Sequence, residues 1–451
     1  MDHTILLKLI KPKPMKGLLT YKNLLLVVCS LIVFSCSKEI DGSDVILLNS
    51  EKDIIEFTFL SSDNEELEID VNARIDQNDK LISVVLPYGT PISALKPSIK
   101  ISESASIIQG TDIFVDFSEP LNYSVMAEDG TSSDYTVRVR VVASTDQEIL
   151  LTIFNQNPDN TLGWDITNDD VSTWEGVVVI DEKIIGLELD EKGLTILPPE
   201  ICDLFYLKTL SLEGNMISEI PRQIEDLSNN LRVLNLGGNQ IEIIPGEFFS
   251  LEKLTDLRMY TNMLVDIPSD INKLTELRYL SLSNNALQTL PSELFELSEL
   301  NTLFINNIEL LEVPQEITNL SKLTSLGISS NQLGSVPDHV LEIETLTRLD
   351  IYNAGISTIP AGITKLSNLR RLQLSGNNLV EINENVGDLF LLENLLLKTN
   401  MIEEIPVKLS NLINLQVLDI SENNIVSMPN AVCDLVNTGT EIVIDAGVGC
   451  M

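Results

Sequence analysis

A leucine-rich phrase that recurs at a fixed interval constrains this chain more than any other feature. Successive copies lie 23 residues apart, except that the first interval is 24 because of one extra residue in the Ser228-Asn229-Asn230 turn. One copy is too short to enclose its own leucines, so the copies must stack and bury their apolar faces on one another. The sequence therefore predicts a solenoid. The phrase Leu-x-x-Leu-x-Leu-x-x-Asn-x-Leu, with substitutions, begins at Leu207, Leu231, Leu254, Leu277, Leu300, Leu323, Leu346, Leu369, Leu392 and Leu415, and a weaker copy begins at Ile184.

The positions within each phrase, numbered here as places from its first leucine, predict the path of one coil. Leucines at places 1, 4 and 6 are expected to point inward from a short strand, and strands of stacked copies must run parallel. A proline follows fourteen residues after each start, as in Pro268, and only the copy at Leu369 replaces it, with Asn383. Proline removes a backbone donor and favours extended geometry before it. The return limb is therefore expected to be extended or a short helical turn.

Asparagines at place 9 fall where each strand ends and the chain turns. An amide carries donors and an acceptor, so a buried column of them can satisfy backbone groups that the turns leave unpaired. Ile308 and Ala354 interrupt the column, and these two turns are expected to be looser unless Asn307 or Asn353 substitutes. The column comprises Asn215, Asn239, Asn262, Asn285, Asn331, Asn377, Asn400 and Asn423.

The full unit, Leu-x-x-Leu-x-Leu-x-x-Asn-x-Leu-x-x-Ile-Pro-x-x-Ile-x-x-Leu, resembles that of the leucine-rich repeat family. The resemblance implies an α/β solenoid over residues 184–436, with a parallel concave sheet and a short helical or extended convex side. Residues 144–183 hold both tryptophans, Trp164 and Trp174, and resemble the cap that precedes plant-type repeats, although Ser172 and Val179 replace its usual cysteines. Residues 437–451 are expected to form the C-terminal cap.

The first 35 residues are predicted to be a secretory signal, because five lysines precede an apolar stretch from Leu24 to Phe34. This stretch is short for a permanent membrane anchor, which is the alternative. Val33-Phe34-Ser35-Cys36 resembles the lipobox of bacterial lipoproteins, which implies lipidation of Cys36 and attachment to the outer membrane. Residues 36–50 are expected to be a flexible tether; they resemble a surface-export tag, but a solvated linker would have the same composition.

Residues 51–143 have the alternating pattern of β-strands. Ile55, Phe57 and Phe59 alternate with polar residues, and turn signals such as Asp129-Gly130 separate the apolar runs. The pattern predicts an all-β sandwich of about seven antiparallel strands. The segment resembles the immunoglobulin- or cadherin-like spacer domains of bacterial surface proteins.

Three cysteines follow the predicted signal and lipobox, an odd number for an exported protein. Cys202 and Cys433 occupy equivalent places ten repeats apart. At about 4.8 Å per stacked strand they would be about 50 Å apart, whereas a disulfide requires Cα atoms within roughly 7 Å. A disulfide between Cys433 and Cys450 is therefore expected, with Cys202 left free or paired outside the chain.

Places 3, 5 and 7 of each phrase are expected to line the concave face and to form a binding surface. Aromatics and arginines dominate interface energetics, and here they cluster in neighbouring copies. The alternative is that these side chains only cover neighbouring strands. The candidate ligand-binding residues are Arg258, Tyr260, Tyr279, Phe304, Asn306, Arg348, Asp350, Tyr352, Arg371 and Lys398.

Charge and composition narrow the function. A net charge of −38 argues against nucleic acid, because phosphate binding depends on lysine and arginine. Only His3 and His339 are present, and no nucleophile and base pair, zinc motif or phosphate loop assembles. We therefore expect a binding protein without cofactor or metal rather than an enzyme. A protein partner is favoured, glycan capture is the alternative, and a hydrolase is a remote third.

Overall fold

The computed structural model describes residues 48–109, 113–142 and 144–451. The predicted signal, the lipobox cysteine Cys36 and most of the predicted tether lie outside the described residues. Within the described part of the chain, every helix is too short or too polar to cross a bilayer.

The N-terminal domain consists of two β-sheets. One has the strand order β2-β1-β5 and the other the order β3-β4-β8-β7-β6. The pair β4 and β8 is parallel, which corrects the expectation of an all-antiparallel sandwich. Phe57, Phe59 and Phe117 pack edge to face in the core. The strands are β1 (Ile54–Phe59), β2 (Val71–Asn72), β3 (Arg74–Asp76), β4 (Leu81–Leu86), β5 (Ser98–Ile101), β6 (Ser106–Ile107), β7 (Leu121–Met126) and β8 (Ser132–Val141).

Helix α1 (Asp146–Gln156) begins the cap of the solenoid. Thr145 and Glu148 form a capping box that satisfies backbone donors at its N-terminus. The rings of Trp164 and Trp174 stack with centroids 4.9 Å apart, and the Trp164 indole donates to the Glu175 carbonyl at 2.8 Å. Both rings belong to the same hydrophobic core as Leu187 and Leu189 of the first coil.

A 13-stranded sheet runs through the solenoid. Only its first pair, β9 with β10, is antiparallel, and all other pairs are parallel and in register. Leucines at places 1, 4 and 6 are buried, as in Leu277, Leu280 and Leu282, so the predicted leucine-rich repeat solenoid is confirmed. The strands are β9 (Val177–Ile180), β10 (Lys183–Glu188), β11 (Thr209–Ser211), β12 (Val233–Asn235), β13 (Asp256–Arg258), β14 (Tyr279–Ser281), β15 (Thr302–Phe304), β16 (Ser325–Gly327), β17 (Arg348–Asp350), β18 (Arg371–Gln373), β19 (Asn394–Leu396), β20 (Val417–Asp419) and, after a short strand β21 (Ser427–Met428) outside this sheet, β22 (Glu441–Val443).

The convex side consists of 3-10 helical turns that mostly follow directly after a proline. Asn383 replaces proline in one coil and caps its turn by accepting a hydrogen bond from the Asn385 backbone. A 3-10 turn fits because the short coil leaves no room for a longer helix. The turns span Pro199–Asp203, Arg222–Leu227, Gly246–Ser250, Ser269–Lys273, Ser292–Glu296, Gln315–Asn319, Asp338–Glu342, Ala361–Lys365, Glu384–Asp388, Val407–Asn411 and Asp434–Thr438, and one more, Val171–Thr173, lies in the cap.

The place 9 asparagines form the ladder expected from sequence; six of the eight are buried, and Asn262 and Asn423 are half-buried. Asn285 donates through Nδ2 to the carbonyls of Leu282 and Met259, which lie in its own coil and in the preceding one, and its Oδ1 accepts from the Leu264 backbone. Each such amide therefore ties two coils together and leaves few buried backbone groups unpaired.

Where the amide is missing, the next asparagine along the stack makes an additional bond. Oδ1 of Asn331 accepts from the backbone of both Ile308 and Leu310, and Oδ1 of Asn377 does the same in the coil of Ala354. Asn307 and Asn353 are exposed and do not substitute. Compensation comes from the following coil rather than from an adjacent residue.

The C-terminal end is closed by helix α2 (Asn430–Cys433) and by the pairing of β21 with β23 (Gly449–Cys450). Cys433 and Cys450 are joined in a disulfide across this closure. Cys202 is a free cysteine buried in the solenoid, and burial raises the pKa of its thiol.

The N-terminal domain packs directly against the convex side of the first coils. Arg140 from β8 donates to Asp203 at 2.9 Å and to Asp226 at 2.6 Å, two carboxylates at equivalent places of successive coils. Phe205 of the solenoid is buried in the hydrophobic core of the sandwich. Asn229, in the turn that lengthens one repeat, contacts the backbone of Asn72. A domain expected to be a spacer is therefore docked on the repeats.

Candidate binding face of the solenoid

The parallel register places residues of places 3, 5 and 7 side by side on the concave face. Residues at equivalent places of adjacent coils are direct partners in the sheet, as in Tyr279 and Thr302. Eight of the ten candidates are half-buried there, Lys398 is exposed, and Asp350 is buried. Tyr260, Tyr279 and Phe304 thus lie at the surface of the sheet and not among the inward leucines.

Four of these side chains form a continuous ribbon of stacked groups. The Arg258 guanidinium lies 5.0 Å from the ring centroid of Tyr279. Tyr279 meets Phe304 edge to face at 5.8 Å. Arg348 lies 5.1 Å from the Phe304 centroid. Such cation–π contacts hold the long arginine side chains in fixed positions. Less side-chain conformational entropy is therefore lost when a ligand binds.

Carboxylates on the same face orient the arginines of the ribbon. Asp256 accepts two hydrogen bonds from Arg258, at 3.0 and 3.1 Å. Asp350 accepts from Nε of Arg348 at 2.7 Å and from Nε of Arg371 at 3.2 Å. Two guanidinium groups therefore share one carboxylate, and this end of the face keeps an excess of positive charge.

Asp350 is the one buried residue among the ten candidates. It is 4% exposed, and its carboxylate is enclosed by Arg348 and Arg371. A buried carboxylate needs such partners. Asp350 is therefore a positioning residue for the two arginines.

Two glycines of the concave face, which the sequence analysis missed, lie directly under aromatic rings. A β-carbon added to Gly237 would be 2.6 Å from Cζ of Tyr260, and one added to Gly327 would be 2.7 Å from Cδ1 of Phe304. Neither glycine has a positive φ, so the backbone does not require glycine there. The rings leave no room for a larger side chain at these positions. In the sequence, the sign of such a contact is a glycine at place 5 or 7 with an aromatic residue at the same place of the adjacent coil.

Tyr260 is also held at its hydroxyl. The interaction of the Tyr260 hydroxyl with the Glu213 carboxylate lowers the pKa of Glu213, with a smaller contribution from Asn235. Burial and this same interaction raise the pKa of Tyr260 far above its usual range. The ring is thus fixed at both ends, by Gly237 beneath it and Glu213 at its tip.

Place 7 carries a polar ladder at the strand exits. Ser283 accepts from the backbone and the amide of Asn306, at 3.1 Å each, and Asn306 Oδ1 accepts from the Ser329 backbone at 2.8 Å. Beyond it Tyr352 and Lys398 border a small cleft of about 230 Å³. Lys398 forms an ion pair with Glu422 at 3.1 Å. Asn306 therefore fixes its neighbours, while Tyr352 and Lys398 remain open to a ligand.

Other chemistry is sparse in the part of the chain that the structure describes. No group of three or more histidine, cysteine or acidic side chains converges there in a way that could hold a metal ion. His339 lies in the convex 3-10 turn Asp338–Glu342, on the opposite side of the coil from the ribbon. The concave face is therefore the best-developed candidate site among the described residues.

Comparison with known families divides the chain in the same way as the structure. The family model described as "SGBP, N-terminal" matches residues 57–139. Models described as "Leucine rich repeat", "Leucine-rich repeat region" and "Leucine Rich Repeat" match residues 205–264, 267–384 and 414–435.

Individual proteins resemble parts of the chain. The Arabidopsis receptor kinase HAESA, solved in complex with the peptide hormone IDA and the co-receptor SERK1, is 25% identical with a TM-score of 0.57, over 67% of this chain and 53% of its own. A leucine-rich repeat protein of Leptospira interrogans is 30% identical over 57% of this chain and 72% of its own, with a TM-score of 0.49. Bovine osteomodulin is 34% identical over 97 residues, 21% of this chain and 22% of osteomodulin. The chain thus spans about half of HAESA and about a fifth of osteomodulin.

Proposed function

Because this chain is a leucine-rich repeat protein, we propose that it is a non-catalytic binding protein whose concave sheet receives a protein partner. The observation that carries the proposal is the ordered ribbon from Arg258 through Tyr279 and Phe304 to Arg348. Aromatic and arginine side chains that are already immobilised provide large contact area at low entropic cost. The peptide complex of HAESA, which has a similar solenoid, supports a protein or peptide ligand.

The charged and aromatic groups of the ribbon suggest which groups a partner would carry. Asp350 is shared by two guanidinium groups, and its bonds to Arg371 use only the Nε edge, so the terminal nitrogens of Arg371 remain available as donors. A partner with an apolar side chain over Phe304 and a carboxylate near Arg371 would complement this surface. Charge complementarity of this kind mainly increases specificity and the association rate.

We place the protein at the cell surface, anchored through lipidated Cys36. The apolar stretch before Cys36 and the lipobox-like Val33-Phe34-Ser35 are the support for this placement. The matched N-terminal domain is consistent with an exported surface protein. In this arrangement the N-terminal domain, which is docked on the first coils, lies between the tether and the repeats along the chain.

A pull-down with three forms of the protein tests the proposal. The wild-type protein and Arg370→Ala are expected to capture the same partner from an extract, while Arg348→Ala combined with Arg371→Ala lowers its affinity more than tenfold. Arg370 is the matched control because it neighbours Arg371 in sequence but pairs with Glu393 away from the ribbon. Protease treatment of the extract must abolish capture. Equal affinity of all three forms would dismiss the ribbon as the site.

Glycan binding is the second candidate, favoured by the N-terminal domain. Its family match, "SGBP, N-terminal", points to the glycan-binding alternative. In that case the captured material would survive protease treatment and elute with free sugar. The same pull-down therefore separates the two candidates.

A further inference from the structure

Tyr260 presents a fixed aromatic platform at the N-terminal end of the concave face. The carbons Cζ, Cε1 and Cε2 of its ring would lie 2.6, 2.7 and 2.9 Å from a β-carbon on Gly237. Because these three distances are nearly equal, the ring lies with its face, and not its edge, over the Gly237 backbone. The Tyr260 side chain is half-buried, so part of the ring is accessible to a ligand.

Hydrogen bonds link Glu213 to the backbone under the ring. Glu213 Oε2 accepts from Asn235 Nδ2 at 2.8 Å, and Asn235 Oδ1 accepts from the Gly237 backbone at 3.1 Å. Asn235 is itself buried. The Tyr260 hydroxyl interacts with the same Glu213 carboxylate, whose pKa it lowers.

Groups that can bond hydroxyls lie in the same coil as the platform and in the coils before it. Glu213 lies at the tip of the ring, and the paired side chains of Asp256 and Arg258 lie in the same coil as Tyr260. In the coil before Glu213, Asp190 accepts from Ser211 at 2.6 Å. A flat apolar surface bordered by carboxylates and a guanidinium matches a sugar ring, whose C–H face packs on the negative face of an aromatic and whose hydroxyls bond to the rim.

We propose that Tyr260, over Gly237 and beside Glu213, is a subsite for a neutral pyranose of a glycan. The carboxylates of Asp190, Glu213 and Asp256 outnumber the single cation Arg258 here, which disfavours an acidic sugar. The subsite gives the second candidate function, glycan binding, a specific location on the concave face. It is independent of a protein partner at Arg348 and Arg371, four and five coils further along the sheet.

The Phe304 and Gly327 pair shows why the proposal is limited to Tyr260. Phe304 also lies against a glycine, but the Arg348 guanidinium stacks on its ring at 5.1 Å and Tyr279 meets its edge. Phe304 has no hydroxyl to anchor, and its ring belongs to the ribbon. Of the two rings on glycines, Tyr260 is the one bordered by an excess of carboxylates.

Calorimetry on the full chain with neutral hexasaccharides tests the proposal. The probes are the hexasaccharides of β-1,4-glucose, β-1,3-glucose, β-1,4-xylose and β-1,4-mannose, with hexagalacturonate as the acidic control. We expect at least one neutral probe to bind and hexagalacturonate not to bind. Tyr260→Ala and Gly237→Ala should each lower the affinity at least tenfold.

Two further variants keep the test independent of folding. Tyr260→Phe keeps the ring but loses its hydroxyl and should lower the affinity several-fold, while Phe390→Ala, which removes an exposed aromatic outside the concave face, should leave the affinity unchanged. Absence of binding by all neutral probes at millimolar concentration, or an unchanged affinity of Tyr260→Ala, would overturn the proposal. Loss of sugar binding in Arg348→Ala with Arg371→Ala would also overturn it, by moving the site to the ribbon. If the double variant loses protein capture but keeps sugar binding, the result supports the proposed protein site and leaves the sugar subsite at Tyr260 standing.

Discussion

Asn229 and Asn72 exchange hydrogen bonds between the solenoid and the N-terminal domain. The Asn72 backbone donates to Asn229 Oδ1 at 2.9 Å, and Asn229 Nδ2 donates to the Asn72 carbonyl at 3.4 Å. Asn229 lies in the one turn that lengthens a repeat from 23 to 24 residues. The irregular repeat is thus the one that docks the edge strand of the sandwich, together with the Arg140 ion pairs to Asp203 and Asp226.

Replacing Asn229 by alanine should loosen this docking. The change leaves the Asn72 backbone donor without its partner at a partly buried site, which costs about 1–3 kcal/mol. Hydrogen exchange of residues 71–76 should accelerate, and urea unfolding should show the loss of stability. The control is Asn414→Ala, because Asn414 donates to the Phe390 carbonyl on the convex side of a coil without the sandwich. Equal exchange in residues 71–76 of both variants would contradict the docking role.

Replacing Asn331 by alanine should destabilise the solenoid more than replacing Asn285. Asn331 makes four hydrogen bonds of 2.9–3.1 Å, two as donor and two as acceptor, because it also serves the coil of Ile308. Asn285 also makes four hydrogen bonds, but it accepts only one, from Leu264, and its bond to the Ser283 carbonyl is long, at 3.4 Å. A second short accepted bond in place of this long one corresponds to about 1 kcal/mol. Urea denaturation of the two variants measures the difference, and equal losses would refute compensation across the coils.

Replacing Tyr260 by phenylalanine should raise the pKa of Glu213 toward its ordinary value of 4.5, since the Tyr260 hydroxyl is the largest cause of its depression. A lowered folded-state pKa stabilises the folded state at pH values above the unfolded pKa, and this contribution is lost as the pH falls through the folded pKa. Carboxyl-carbon NMR titration of Glu213 measures the change. Tyr279→Phe is the control, and an equal shift in both variants would speak against the Tyr260 bond.

Removing the disulfide by replacing Cys433 and Cys450 with alanine should release the C-terminal closure. The two cysteines are 17 residues apart, and closing a loop of this length corresponds to about 3 kcal/mol in the chain-entropy account. Because stability in a solenoid is mainly local, the loss should appear as faster hydrogen exchange in residues 427–451. Residues around Leu277 in the middle of the stack serve as the internal control. Unchanged exchange at the C-terminal end would show that strand pairing alone closes the stack.

The repeat was enough to predict most of the fold because each of its residues specifies the local path of one coil. Leucines at places 1, 4 and 6, the place 9 asparagines and the prolines each specify one part of a coil, and identical coils can only stack in register. The concave location of Tyr279 and Phe304 follows from the same alternation. The role of Asp350 did not follow, because the alternation only assigns a side chain to a face. Its burial depends on Arg348 and Arg371 closing over it from two coils.

The order of leucines along the chain was enough to specify a stacked parallel sheet, its inward core and the residues on its concave face, because these depend on a local pattern repeated without change. Three features depended on the folded arrangement: the ring of Tyr260 on Gly237, the enclosed carboxylate of Asp350, and the docking of Arg140 and Asn72 on the first coils. Each includes a contact between residues at least 21 positions apart, up to 157 for Asn72 and Asn229, and these contacts arise only once the coils have stacked and the two domains have met.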